Sequence, residues 1–210
     1  MRRMHVSPTF EETLMNLSAT SSWQIRVEER HSLTIGLYAR DAAGLRSWTD
    51  CDIPPLTPAV GIRSDLAHLA GPETSAEWDR WWRRELLQQD ETGPGLYPPH
   101  FPALQGSPRL AALIRACFED AVAWNARRYQ QRSAISAGDE SCAPEGDLVG
   151  RVEAEIGRKA RPFRLLVTRL PVAGDTGWRV APDHVLVSEA RRDNPSAYGA
   201  WLTPVIRELA

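Results

Sequence analysis

Apolar and polar residues alternate from Trp23 to Val27, where Trp23, Ile25 and Val27 are separated by Gln24 and Arg26. A period of two is the signature of a half-buried strand. After the polar stretch Glu29-Arg30-His31 the alternation resumes, with Leu33, Ile35 and Leu37 set against Ser32, Thr34 and Gly36. Two such runs across a polar turn predict an antiparallel hairpin. A turn at 41–44 and a short third strand over 45–48 would complete a small meander.

A second pair of apolar runs, 163–172 and 178–187, flanks Ala173-Gly-Asp-Thr-Gly177 and predicts a C-terminal hairpin. Ser188, followed by Glu189, has the chemistry of a helix N-cap. A last helix starts at Pro195 behind Asn194 as its cap, with Tyr198, Trp201, Leu202, Val205, Ile206 and Leu209 on its apolar side. Pro204 lies inside it and is expected to bend or split it after Thr203.

Between the hairpins the period changes to that of helices. Residues 75–87, capped by Ser75, place Trp78, Trp82 and Leu86 on one face with Trp81 at its edge. The longest helix is expected from Pro108, behind Ser107, to about Arg132, with an apolar face running from Leu110 to Trp124. A shorter helix over 147–159 would be capped by Asp147, and a weak pattern suggests another near Thr9. A long Pro/Gly-rich connection spans 88–107, and a small, acidic stretch at 133–146 reads as a mobile loop. A lone two-stranded ribbon is marginal in water, so the two hairpins are expected to join. The result is one α+β domain over 1–210, with a mostly antiparallel sheet from the N-terminal and C-terminal hairpins under three to four helices.

Composition narrows function without naming it. Hydrophobic residues make up 42% and charged residues 25%, as in ordinary globular chains. A formal charge of −2 argues against a protein built to coat nucleic acid or an anionic membrane. No apolar run approaches the ~20 residues of a membrane helix, and no apolar segment follows Arg2 and Arg3 as in a secretory signal. Cys51, Cys117 and Cys142 do not form a disulfide framework. A cytoplasmic setting is the expectation. Basic residues are 24 Arg against Lys159 alone, which fits the coding bias of a GC-rich bacterial genome.

Candidate chemistry is sparse. His5, His31, His68, His100 and His184 lack metal-ligand spacing, and Glu28-Glu-Arg-His31 is expected at a strand end, where positions three apart face opposite ways. No metal and no cofactor are expected. Asp183 and His184 are neighbours on a strand and point apart, so they cannot complete a local triad with Ser188. They could still belong to a site assembled from dispersed residues. Cys51 and Cys142 sit among carboxylates, which oppose a thiolate, and Cys117 faces the core. Asp175-Thr176-Gly177 resembles the short motif of aspartic proteases, but it occurs once and a turn explains it. The basic stretches 127–132 and 158–164 are read as complements of helix C-terminal dipoles, not as nucleic-acid contacts.

Trp81 and Trp82 stand out. Adjacent helical residues differ by about 100° in direction, so either the helix is sandwiched or one indole reaches the surface beside Arg80, Arg83 and Arg84. Exposed Trp beside Arg is the composition of an interface hot spot. The leading expectation is a non-enzymatic protein that binds another protein, as an accessory, adaptor or immunity-like component, with a homo-oligomer compatible. The alternatives are a small hydrolase with a dispersed site near His184 and Asp183, and a small-ligand binder with a pocket between sheet and helices.

Overall fold

A computed structural model describes residues 23–46, 52–88, 95–136 and 144–210, without the side chains of 133–136 and 144. Cys51, Cys142, the helix expected near Thr9 and residues 47–48 of the third strand expected over 45–48 lie outside the described residues, as do 89–94 and 137–143 of the two connections. Residues 45–46 are not strand. The elements are β1 (Trp23–Glu28), α1 (His31–Ala43), α2 (Pro72–Leu87), α3 (Pro108–Ser136), α4 (Pro144–Ile156), β2 (Phe163–Leu170), β3 (Gly177–Ala181), β4 (His184–Ser188), α5 (Glu189–Arg192) and α6 (Pro195–Leu209). Short 3-10 turns lie at Ser64–Leu69 and Pro102–Leu104.

The fold is α+β, but the sheet is not the expected antiparallel one. Its order is β1-β2-β4-β3. β1 pairs parallel with β2, and β2 with β4; only β3 and β4 are antiparallel. The N-terminal hairpin does not exist, because its second half is α1. Every residue from Leu33 to Arg40 is buried, so α1 has no polar face through that stretch. The alternation of Leu33, Ile35 and Leu37 therefore carries no information about period. The expected turn at 41–44 is the helix stop: Gly44 is left-handed at φ 62°, and the N–H groups of Gly44 and Leu45 return to the carbonyls of Asp41 and Arg40.

The C-terminal hairpin is corrected as well. The run 178–187 is two strands, divided by a turn at Pro182 and Asp183. β4 folds back along β3 and inserts between β3 and β2, so the chain does not reverse directly from β2 at Gly174. Both faces of the sheet are consequently covered. Leu165, Val167, Val185 and Val187 pack against Leu148, Val149 and Val152 of α4 and Tyr198, Leu202 and Ile206 of α6. On the opposite face Leu170 and Leu186 join a core with α1, α2 and α3. Strands buried on both faces read as continuous apolar runs, as 165–167 and 185–187 do.

Local signals locate several helix ends. Asn194 accepts the Ala197 N–H at 3.1 Å, and Ser188 accepts the Arg191 N–H at 3.3 Å. α2, however, begins at Pro72 behind Gly71, so Ser75 is not a cap but donates its own N–H to the Gly71 carbonyl. α4 begins at Pro144, which places Asp147 inside the first turn. α6 continues through Pro204. Pro204 and Ala200 are both exposed, so water can satisfy the Ala200 carbonyl that loses its intrahelical donor.

Candidate functional site

The expected partner-binding indoles are in the core. Trp78, Trp81 and Trp82 are 0%, 0% and 1% exposed, because α2 is packed against both α1 and α3. Trp78 and Trp82 stack at 5.0 Å, and Trp81 meets both at a steeper angle. The Trp78 indole donates to the Gly36 carbonyl at 2.7 Å, whereas those of Trp81 and Trp82 have no hydrogen-bond partner. Their contribution is packing. Arg80 and Arg83 remain exposed, and Arg84 donates to the Ala103 carbonyl, tying α2 to the stretch before α3.

His184 is equally inaccessible, at 1% exposure. Its Nε2 lies 2.9 Å from the Thr168 hydroxyl, and the ring also bonds the Leu86 carbonyl. Burial, reinforced by the Arg30 charge, pushes its pKa down to about 4. A neutral imidazole sealed between sheet and helices cannot exchange protons with a substrate. Asp183 stays half-buried in the β3–β4 turn and does not join it to form an open dyad. Cys117 is buried in α3, which pushes its thiol up to about 12 and leaves it inert.

A different set of side chains converges where β1, β2 and β4 end. Parallel pairing puts their carboxyl ends on one edge, and Glu29, Arg169 and Glu189 stand there. α3 crosses the same edge and presents Asn125, Arg128, Tyr129 and Arg132 at i, i+3, i+4 and i+7, the spacing of one helical face. Arg128, with its side chain 2% exposed, pairs with both Glu29 and Glu189. Arg169 reaches the other Glu29 oxygen at 3.0 Å, and Arg132 bonds Glu189 at 3.0 Å and Asp193 at 3.1 Å. Three arginines thus meet three carboxylates, and the charges balance. Arg128, Glu29 and Glu189 are the most enclosed of the six, and leaving any one of these three unpaired would be costly.

The network also orients an exposed histidine. Asn125 accepts from Arg128 Nε at 3.1 Å and Nη2 at 2.8 Å, which commits its carbonyl oxygen. Its amide nitrogen, 3.2 Å from His31 Nδ1, must then be the donor. Nδ1 is an acceptor, and the proton of the neutral ring sits on Nε2. Desolvation of the ring lowers the His31 pKa against the pull of Glu29, and a donor at Nδ1 opposes protonation in the same sense. Beside it, Tyr129 is 41% exposed and lies 4.5 Å from the Arg128 guanidinium. Burial of its inner side and the nearby Glu29 raise the phenol pKa, so the hydroxyl keeps its proton.

Among the described residues, no three His, Cys, Asp or Glu side chains converge on a metal site, and no helix is long and apolar enough to cross a membrane. The chain matches no protein-family model, no curated protein and no solved structure. The site therefore rests on its own geometry. Glu28-x-x-His31 and the basic run 127–132 are visible in the sequence, but as a strand end and a helix end. The i, i+3, i+4, i+7 spacing of Asn125, Arg128, Tyr129 and Arg132 is the signal that would have grouped them.

Proposed function

We propose that this protein is a non-catalytic binding protein, an accessory or adaptor that recognises another protein through the carboxyl edge of its parallel strands. The observation that supports this reading is the Asn125 relay. It turns the Nε2–H donor of His31 outward and blocks Nδ1, the atom a general base would need. Next to it Tyr129 keeps its hydroxyl on Glu29 and Arg128 and presents the exposed part of its ring. One outward donor beside an exposed aromatic ring suits an acceptor group of a partner, such as a backbone carbonyl or a carboxylate, flanked by an apolar side chain. The hydrolase alternative is not favoured, because His184 has no path to a substrate.

The test is co-purification of the full chain from a native lysate of its source, with two single variants run in parallel. His31→Ala is expected to lower recovery of the partner at least about fivefold with an unchanged melting temperature. Tyr129→Leu, which removes the ring, should also lower it at least about fivefold, with a small loss of stability from the hydrogen bonds to Glu29 and Arg128. Asn125→Leu should weaken recovery less, by freeing the ring without removing it. Recovery unaffected by either surface variant, or no specific partner at all, sinks the proposal.

A further inference from the structure

A second region gathers unused binding capacity at the other end of α3. The stretch 95–107 wraps back onto the core through Leu96, Phe101, Ala103 and Leu104, all buried. Between this wrap and the start of α3 lies a cavity of about 440 Å³, within the range of small-molecule sites. Its floor is apolar, from Phe101, Leu104, Pro108 and Ala111; its polar lining residues are His100, Gln105 and Arg115.

Two features set this cavity apart from an ordinary surface dent. Phe101 is the only non-glycine residue with positive φ among the described residues, at 48°. A bulky side chain in the left-handed region is a true outlier and needs support from its surroundings. Here the support is burial, at 4% exposure, and an edge contact with Phe118 at 5.1 Å. Arg115 is the second feature. Its guanidinium lies 5.6 Å from the centre of the Phe101 ring, and no carboxylate among the described residues pairs with it. The contrast is with Arg128 and Arg132, whose charges are fully matched farther along the same helix.

The start of α3 does not supply the anion affinity. Glu77 already accepts the Leu110 N–H at 2.9 Å, so a carboxylate occupies that helix end. The unmatched charge is that of Arg115, held over an aromatic face at the edge of an apolar hollow. A guanidinium in that position binds a carboxylate with two parallel hydrogen bonds. A flat apolar body would lie against Phe101, Leu104 and Ala111. His100 and Gln105 are left to bond a polar substituent on that body. We infer that the cavity between 95–107 and α3 is a binding site for a small aromatic carboxylic acid, with Arg115 holding its carboxylate. The site is independent of the carboxyl-edge surface, from which it is separated by about 15 Å along α3 between Arg115 and Asn125.

The test uses the full chain and a panel of benzoate, phenylacetate and indole-3-acetate, each paired with its neutral amide, by calorimetry and ligand-observed NMR. At least one acid is expected to bind with submillimolar Kd, and at least about tenfold more tightly than its amide. Arg115→Gln should remove that preference with an unchanged melting temperature, since Arg115 is exposed. Arg115→Lys, which keeps the charge but loses the paired geometry, should fall between them. Equal binding of acid and amide, the same affinity in Arg115→Gln, or no acid bound below millimolar concentration would overturn the inference.

Discussion

The two faces of the sheet are built differently. Towards α4 and α6 the strands offer Leu165, Val167, Val185 and Val187, and the helices answer mostly with aliphatic side chains. Towards α1, α2 and α3 the strands offer Thr168, His184 and Ser188 among the apolar residues, and the helices answer with four tryptophans, Trp78, Trp81 and Trp82 of α2 and Trp124 of α3. On that side, Arg30 and Ser32 converge on Glu85 at 2.9 and 2.5 Å beside the Thr168–His184 pair. Aliphatic packing depends on area and tolerates substitution of similar volume. Stacked indoles and buried polar pairs depend on particular neighbours, and one wrong atom is felt at once. The α1–α3 face should therefore be the brittle one.

The largest expected effect separates the faces directly. Trp81→Ala should cost about 4 kcal/mol and Val185→Ala about 2 kcal/mol, read as the shift in urea midpoint at constant m value. Equal losses would mean that the faces do not differ in this way.

The acid response comes next. His184 has a folded pKa of about 4 against 6.5 for the unfolded chain, so below pH 6.5 the unfolded state takes up a proton that the folded state refuses. Stability is complete above that pH and falls as pH drops from 6.5 towards 4, by about 3 kcal/mol in all. His31 acts in the same sense from the edge. Urea unfolding at pH 7 and pH 4.5 measures the loss, and His184→Leu should flatten most of the slope. An unchanged slope in that variant would assign the acid sensitivity elsewhere.

The smallest effect is a pair of glycine substitutions. A Cβ on Gly36 would lie 2.2 Å from the Trp81 ring, so Gly36→Ala should destabilise by about 2 kcal/mol despite alanine's helix preference. On the other face, a Cβ on Gly199 would meet the end of the Leu148 side chain at 3.3 Å. Leu148 can yield, and Gly199→Ala should be neutral or stabilising by up to about 1 kcal/mol. Thermal melts of the two variants check the sign of each.

The parts of this chain that are legible in its sequence are those decided within a few residues. Asn194 before Pro195, Ser188 before Glu189 and Pro108 at the head of an apolar helical face each mark a helix end, because capping is a contact between near neighbours. The strand character of β1, β2 and β4 is legible too, from alternation or from short apolar runs. Tertiary structure alone decided the partners. Nothing local distinguishes β2 beside β1 from β2 beside β3, since β1 meets β2 across 140 positions, as from Trp23 to Phe163, and β2 meets β4 only after skipping β3. Nor could Leu33 to Leu37 announce a helix, since amphipathic period appears only where one side meets water and α1 meets none there. The candidate site belongs to the same class: Glu29, Arg128 and Glu189 are ordinary charges until parallel pairing brings three strand ends under one helix.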